Sequence, residues 1–361
     1  MLRILKWIGF AAIIIFAGLL MARMLFSEKL GEAAFQRAVT QTLSDNPMAD
    51  FEGGLHVVLI GTGSPLPDPA RAGPSTAVIA GGKIFIVDSG GGSVRRMGEL
   101  RLPAGRIEAT FLTHFHSDHI DGLGELMMMR WTSGGRTAPM PVYGPAGVEQ
   151  VVGGLNMMYA QDKVYRVAHH GEAVVPPSGQ GGTAMPFDAP ETGASMVIYE
   201  ADGLVVTAFS VDHSPIEPAV GYRFDYKGRS VTLSGDTEKD AIVAAAGKDT
   251  DLLIHEALNR EMVRTLETTM RENGQERTAK ILFDIQDYHT SPVEAAEIAE
   301  AAGAGALVLS HIVPAAPARA LYPYYLKGTS DAYSGPVIMG EDGTVFSLPA
   351  DGGAMTRKHL R

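Results

Sequence analysis

The 361-residue chain contains no cysteine. This absence excludes a disulfide scaffold, a cysteine-ligated zinc site, an iron–sulfur cluster and a thiol nucleophile. Any metal site must therefore be built from His, Asp and Glu. Basic residues are also few: 30 Lys and Arg stand against 41 Asp and Glu, a formal net charge of −11. That balance argues against a protein whose main task is to grip nucleic acid, because such proteins present a basic face.

The chain has a long apolar run, Trp7–Phe26, with Arg23 as its only charged residue. At ~1.5 Å per residue these residues would form about 30 Å of helix, which matches the hydrocarbon core of a bilayer. Arg3 and Lys6 precede the run, a pattern that favours a cytoplasmic N-terminus. We therefore predict a single-pass inner-membrane anchor with the remainder in the periplasm. Secretion after cleavage of a signal peptide is the alternative.

Beyond the apolar run, short β-branched stretches alternate with helical stretches and Gly-rich turns. This texture is typical of a layered α/β domain. Residues 174–195 are rich in Pro, Gly and Ser and are expected to be irregular. The predicted organisation has four parts: an anchor or signal segment (1–26), a juxtamembrane helix and linker (27–53), the α/β domain (54–349) and a flexible tail (350–361).

A segment rich in histidine follows the predicted strand Ala109–Thr113. Open α/β sheets place ligands at the carboxyl ends of their strands. His114 and His116 are two residues apart and can face one ion from an extended tip. Asp118 and His119 open the next predicted helix and can face a second ion. Imidazole and carboxylate suit Zn²⁺ where no thiolate exists, although a polar loop merely rich in histidine is the alternative interpretation.

The pattern His-x-His-x-Asp-His after a strand resembles the signature of the metallo-β-lactamase fold. Four residues elsewhere match further positions of that fold, each after a predicted strand: Asp88, His213, Asp236 and His311. The role implied for Asp88 is local structure more than chemistry. The resemblance covers about residues 54–348 and implies an α/β fold, a four-layer αββα sandwich.

The same resemblance implies a binuclear centre. The first metal would have three ligands: His114, His116 and His213. The second would have three others: Asp118, His119 and His311. Asp236 would bridge both metals. Two Zn²⁺ are expected per chain, although Mn²⁺ or Fe²⁺ would suit the same ligands. A hydroxide bridging the metals would attack the phosphorus or sulfur of an ester.

The residue at position 236 narrows the resemblance. β-Lactamases of the common zinc subclasses have a cysteine there, whereas this chain has Asp236. Four motifs are similar to those of the ribonuclease Z branch: Gly235-Asp236-Thr237, Ile254-His255-Glu256-Ala257, Tyr288-His289-Thr290-Ser291 and Leu309-Ser310-His311. Within that branch, the chain looks most similar to an arylsulfatase-like group.

The ribonuclease Z resemblance also implies three catalytic residues. Glu256 would orient His289, which would donate a proton to the leaving oxygen. Asp118 would hold the proton of the nucleophile as well as bind metal. From the residues alone, a structural loop residue before the helix that Pro292 opens is the alternative for His289, and a solvated carboxylate is the alternative for Glu256.

The segment between His213 and Asp236 bears on the substrate. Ribonuclease Z enzymes that trim tRNA often carry a long arm there, whereas Tyr222–Ser234 predicts a compact hairpin. The main prediction is therefore a hydrolase of a small anionic sulfate or phosphate ester, arylsulfatase-like or phosphodiesterase-like. The alternative is a ribonuclease Z-type endonuclease for tRNA 3′ processing, so nucleic acid stays open as a substrate. A metal-binding protein without catalysis is a third interpretation, and a homodimer is the default assembly.

Overall fold

A computed structural model describes residues 2–44, 46 and 48–360. The chain forms two compact units, Met1–Ala49 and Asp50–Arg361. The first unit is built on helix α1 (Leu2–Ser44), so the predicted anchor and juxtamembrane helix are continuous. Within it, Leu5–Met24 is long and apolar enough to cross a membrane, and none of that stretch is buried. A signal sequence meets the same criteria, so membrane anchoring stays a prediction.

Two β-sheets form the centre of the second unit. In chain order the strands are β1 (Gly54–Gly61), β2 (Ser75–Ala80), β3 (Lys83–Val87), β4 (Ile107–Phe111), β5 (Met140–Pro145), β6 (Gly182–Phe187), β7 (Ser195–Ala201), β8 (Leu204–Ser210), β9 (Val220–Tyr226), β10 (Arg229–Leu233), β11 (Leu252–Leu258), β12 (Leu307–Val313), β13 (Val337–Met339), β14 (Thr344–Pro349) and β15 (Thr356–His359). The first sheet has the order β15-β14-β1-β2-β3-β4-β5-β6, and the second has the order β13-β12-β11-β10-β9-β8-β7.

Helices cover the outer faces of both sheets. They are α2 (Ser93–Glu99), α3 (Ser117–Ile120), α4 (Leu123–Gly134), α5 (Val148–Met158), α6 (Ala160–His170), α7 (Ala241–Ala246), α8 (Arg260–Glu272), α9 (Glu276–Asp284), α10 (Pro292–Ala302), α11 (Tyr322–Tyr325) and α12 (Thr329–Ala332). Helices α4 and α5 contact the first sheet, and α10 contacts β11 and β12 of the second. The predicted four-layer αββα sandwich is confirmed.

The main core lies between the two sheets, where their inner faces meet. Phe111 on β4 packs against Tyr222 and Phe224 on β9, with ring centroids 5.7 and 5.6 Å apart. All three side chains are fully buried. Burying a large apolar side chain contributes about 1.5–3 kcal/mol, so this contact between the sheets is a major stabilising element.

The structure differs from the sequence-based expectation in two segments. The stretch 174–195 contains β6, which pairs in parallel with β5 from Met140↔Gly182 onward. The tail 350–361 contains β15, which pairs with β14 through Thr344↔His359. Both are edge strands: three of the six residues of β6 and all four residues of β15 are exposed. They therefore lack the apolar alternation by which a strand is recognised in a sequence.

Strand direction brings several strand ends to one edge of each sheet. Strands β3 and β4 are parallel in the first sheet. Strands β10, β11 and β12 are parallel in the second. Strand β8 shares their direction because β9 is antiparallel to both β8 and β10. The carboxyl ends of these strands carry the candidate ligands.

The loop between β1 and β2, residues 62–74, is held by the buried carboxylate of Asp342. One oxygen accepts hydrogen bonds from the Thr62 backbone N–H at 2.9 Å and the Thr62 hydroxyl at 2.8 Å. The other accepts from the Ala72 N–H at 2.7 Å and lies 3.3 Å from Arg96 Nε. Because Leu66 in this loop lines the cleft described below, Asp342 also fixes one wall of that cleft.

We predict that Asp342→Ala lowers the free energy of unfolding by about 3 kcal/mol, because it leaves buried N–H groups without an acceptor. Asp342→Asn keeps one acceptor oxygen and should lose about half as much. Urea denaturation of the metal-free protein measures both. A loss below about 0.5 kcal/mol for the alanine variant, the range of ordinary surface substitutions, would contradict this role.

Candidate metal centre

The turn after β4 carries the histidine-rich segment, and Asp88 at the end of β3 holds it in place. The Asp88 carboxylate accepts hydrogen bonds from the Thr113 N–H and the Thr113 hydroxyl, both at 2.8 Å. It also accepts one from His119 Nδ1 at 2.9 Å. Asp88 therefore links the end of β4 to the start of α3. Its side chain is buried beside the predicted metal ligands, but Asp88 is not one of them.

Four predicted ligands come together in a first cluster. One donor atom from each lies within 4.8 Å of the others: His114, His116, His213 and Asp236. The His114 Nε2 and His116 Nδ1 atoms are 3.0 Å apart. His213 reaches the cluster from the loop after β8, so ligands from both sheets converge here.

A second cluster lies beside the first and consists of Asp118, His119 and His311. The His311 Nε2 atom is 3.2 Å from Asp118 Oδ2. Asp236 Oδ2 lies 3.3 Å from both His119 Nε2 and His311 Nε2, and 4.0 Å from His114 Nε2. One oxygen of Asp236 thus faces both clusters, which is the position a bridging carboxylate needs.

A glycine permits the turn that carries Asp236. Gly235 has φ +65°, and a Cβ at this position would lie 2.6 Å from the Val220 carbonyl oxygen. Any side chain would therefore both strain the backbone and collide with β9. The sequence motif therefore requires glycine before Asp236 for steric reasons.

His311 occupies a β-bulge that is not apparent from the sequence. The pairing of β11 with β12 steps from Glu256↔Ser310 to Ala257↔Ile312, which leaves His311 as the extra residue. Its φ is +47°, a left-handed conformation that costs a non-glycine residue about 1–3 kcal/mol. Bulges re-aim side chains, and this one turns His311 toward Asp118 and Asp236.

Hydrogen bonds on the far ring nitrogens orient two of the histidines. Asp88 accepts from His119 Nδ1, and the backbone carbonyl of Tyr288 accepts from His213 Nδ1 at 2.9 Å. Each bond leaves Nε2 facing the cluster, an arrangement typical of metal-ligating histidine. Within the described part of the chain, the buried Nε2 of His213 has no hydrogen-bond partner. A bound metal would satisfy it, so the donor set fits divalent cations.

Burial favours the neutral, metal-binding form of the first-cluster histidines. It lowers the pKa of His114 well below its usual range and lowers the pKa of His213 to about 4. The pKa of His116 is lowered for the same reason. Because metals bind neutral imidazole, these three side chains do not have to lose a proton at neutral pH.

Carboxylates reverse this trend in the second cluster. Burial works to lower the pKa of His119, but Asp236 and Asp88 outweigh it and raise that pKa well above its usual value. Burial likewise works to raise the pKa of Asp236, but His311 and His119 bring it well below its usual value. Imidazole and carboxylate thus favour each other's charged forms in this cluster.

The predicted pair of Glu256 and His289 lies at the edge of the clusters. Glu256 Oε1 accepts hydrogen bonds from His289 Nδ1 at 3.1 Å and from the Thr290 N–H at 2.7 Å. Both side chains are buried. A ring nitrogen of His289 lies within 4.8 Å of the donor atoms of Asp236 and His311. The next residue but one, Ser291, caps α10 with a reciprocal capping box, which fixes the backbone beside His289.

A cleft of about 230 Å³ opens onto these residues. Its lining includes predicted ligands and the predicted proton donor: His116, Asp118, Asp236, His289 and His311. Its lining also includes mainly apolar side chains: Pro65, Leu66, Ile281, Ile285, Tyr288 and Val313.

The structure brings all nine predicted site residues together, and their chemical roles stay predictions. Three contributions escaped the sequence reasoning: the hydrogen bond from His119 to Asp88, the Tyr288 carbonyl that orients His213, and the apolar side of the cleft. The only sequence signal for the last was the pair Ile281 and Ile285, four residues apart in a stretch that was not predicted as a helix.

Comparisons with known proteins agree with this geometry. The sequence profile of the beta-lactamase superfamily domain matches residues 85–312. The ribonuclease Z of Mycobacterium avium (strain 104) is 36% identical over 294 residues, which cover 80% of this chain and 96% of that protein. The ribonuclease Z of Mycolicibacterium gilvum (strain PYR-GCK) is 37% identical over 266 residues, covering 72% of this chain and 85% of that protein.

Solved structures show the same fold. The metallo-beta-lactamase fold protein YhfI from Bacillus subtilis has a TM-score of 0.58 at 20% identity, covering 81% of this chain and 99% of its own. The short form of human tRNase Z has a TM-score of 0.55 at 23% identity, with the same coverage. At these identities, the likeness establishes the fold alone.

We predict that Asp88→Asn weakens metal binding about 10–100-fold, because the amide is a weaker acceptor for His119 Nδ1 and loses the negative charge that faces the ring. Competition with a chromophoric chelator measures the affinity. Circular dichroism checks that the variant is folded. A wild-type affinity in a folded variant would show that Asp88 serves only the backbone of the turn.

We also predict that metal uptake at pH 7 releases protons, since His119 and His311 have raised pKa values and must become neutral to bind. Affinity should therefore rise as the pH increases above 6.5, the ordinary pKa of both side chains. Calorimetry in buffers of different ionisation enthalpy counts the protons. His119→Ala should release about one fewer, whereas His116→Ala should bind metal more weakly with the count unchanged. An affinity independent of pH would refute this.

Proposed function

The chain belongs to the metallo-β-lactamase superfamily and is a metal-dependent hydrolase that acts on ester bonds; we propose that its substrate is RNA and that it is a ribonuclease Z-type endonuclease for tRNA 3′ processing. The observation that carries the proposal is the extent of the similarity, which spans 96% of a ribonuclease Z rather than the metal motifs alone. This similarity supports the alternative from the sequence analysis more strongly than the small-ester interpretation.

The two donor clusters support a binuclear centre within this proposal. The first metal would lie on His114, His116 and His213, the second on Asp118, His119 and His311, and Asp236 would bridge them. We propose Zn²⁺ for both, since imidazole and carboxylate are its ligands where thiolate is absent. Bound there, the ions would supply a water nucleophile of lowered pKa and neutralise charge on the phosphoryl oxygens.

Side chains of the protein would accept the proton of the nucleophile and protonate the leaving oxygen. Asp118 lies at the cleft with one oxygen 3.2 Å from His311 Nε2, and its carboxylate would accept the proton of the nucleophile. His289 donates its Nδ1–H to Glu256, which leaves its other ring nitrogen to protonate the leaving oxygen. Because Glu256 also accepts from the Thr290 N–H, it is a positioning residue that fixes the ring of His289.

A small sulfate or phosphate ester is the second candidate substrate. It is favoured by the connection from His213 to Asp236, where β9 and β10 form a hairpin joined by Lys227 and Gly228. This compact connection leaves out the arm that the ribonuclease Z resemblance implies at this position. The formal net charge of −11 also disfavours a large polyanion.

A substrate panel decides between the two candidates. Zinc-loaded full-length protein is assayed with precursor tRNA, bis-p-nitrophenyl phosphate and p-nitrophenyl sulfate. We expect cleavage of precursor tRNA at the discriminator base, abolished in His116→Ala. His289→Ala should lower kcat about 10²–10⁴-fold, the usual contribution of a general acid. His169→Ala is the matched control, since this exposed histidine lies near the end of α6 and outside the cleft.

Cleavage of the sulfate or the small phosphodiester without cleavage of precursor tRNA would replace the RNA proposal by the second candidate. If the wild-type protein cleaves none of the three substrates above the rate of His116→Ala, both candidates fail.

A further inference from the structure

Part of the cleft lining is apolar, which metal-dependent chemistry does not require. We call these residues the apolar wall; its members are Leu66, Ile281, Ile285, Tyr288 and Val313. Leu66 comes from the loop held by Asp342, the two isoleucines from α9 and the residue just after it, and Val313 from the end of β12. Three separate elements thus present apolar groups to the same small space beside the ligands.

The geometry of α9 directs Ile281 into the cleft. Ile281 and Ile285 are four residues apart and share one side of the helical turn, whereas Phe283 points to the opposite side. Ile281 is 59% exposed. A single exposed apolar residue needs no explanation on an open surface. Here it lies in a concave site beside His289 and His311, where an apolar contact has consequences for binding.

The apolar wall packs on a buried apolar cluster. A small buried cluster at its base joins α8 and α9 to the ends of β11 and β12: Leu258, Val263, Leu282 and Val313. Leu66 and Ile285 pack on the same cluster. Leu282, which follows Ile281 on α9, therefore anchors this helix in the buried cluster.

The apolar wall adjoins the proposed proton donor. Tyr288 precedes His289, and their rings are 4.9 Å apart between centroids. His289 would protonate the leaving oxygen, so the group bonded to that oxygen must come to rest beside Tyr288 and α9. The cleft of about 230 Å³ is smaller than the ~300–1,000 Å³ of drug-sized ligand sites, which suits one ring system rather than an extended ligand.

We propose that the apolar wall seats a planar aromatic group of the substrate, with Ile281 as the specificity-determining residue. The inference rests on the proposed function in so far as the cleft is the active site of an ester hydrolase. A nucleobase of RNA and the aryl ring of a small ester share the required chemistry, a flat apolar face close to a tetrahedral anion. The anion contacts the metal side of the cleft, and the ring contacts Ile281, Ile285 and Leu66.

The test compares phosphate monoesters that differ only in the aromatic group. Calorimetry with the zinc-loaded full-length protein measures binding of adenosine 5′-monophosphate against ribose 5-phosphate, and of phenyl phosphate against methyl phosphate. We expect the aromatic member of each pair to bind about ten-fold more tightly. A larger gain for the nucleotide indicates a nucleobase as the natural occupant, and a larger gain for phenyl phosphate indicates an aryl ester.

Ile281→Ser should reduce this preference to near one-fold, with binding of ribose 5-phosphate unchanged. Phe283→Ser is the matched control: Phe283 lies on the same helix with a similar exposure of 56%, but on the side away from the cleft, so the preference should remain. Equal binding within each pair, or the same small effect of both substitutions, would overturn the proposal.

The two proposals fail separately because this binding assay needs no turnover. If the protein prefers aromatic monoesters but does not cleave precursor tRNA, the proposal for the apolar wall is supported and the RNA substrate is refuted. If the protein cleaves precursor tRNA but Ile281→Ser leaves the binding preference unchanged, the proposed activity is supported and the inference about Ile281 is refuted.

Discussion

The site depends on one buried carboxylate. Asp236 is 3% exposed, yet one of its oxygens lies within 4.0 Å of ring nitrogens of His114, His119 and His311. An unpaired buried carboxylate would be costly, so this position requires cations or acidic imidazoles around it. Against the effect of burial, this carboxylate raises the pKa of His119 and of His311. Divalent cations held by the same residues would compensate its charge, so the electrostatic demand that organises the histidines also favours metal binding.

The strands of the two sheets hold Asp236 and the residues around it in place. Asp236 follows β10, His213 follows β8 and His311 lies within β12, while Asp88 and the histidine-rich turn follow strands of the other sheet. Because those strands end at one edge and their inner faces share a buried core, the ligands are positioned by the most stable part of the domain. The local costs, a left-handed His311 and a glycine at 235, are offset by this surrounding structure.

The layers and four of the nine site residues were predicted from local signals, whereas His213, Asp236, Glu256, His289 and His311 were predicted from the family resemblance. The spacing of His114, His116, Asp118 and His119 lies within six residues, and the sheet core shows itself as β-branched runs. Other features depend on tertiary register: the bulge at His311 exists only because β11 and β12 pair as they do. Strands β6 and β15 are defined by their partners rather than by apolar alternation, and so were expected to be irregular or flexible. The apolar wall joins residues more than 200 positions apart, which no local pattern reveals.

The metal side of the cleft does not by itself select a substrate. Sulfate and phosphate esters present similar tetrahedral anions, and the same donors would serve either. Discrimination must therefore come from groups that contact the rest of the substrate, and in this cleft those are the apolar side chains from the loop after β1, from α9 and from the end of β12. Substrate choice in this cleft would thus rest on residues other than those that take part in bond cleavage.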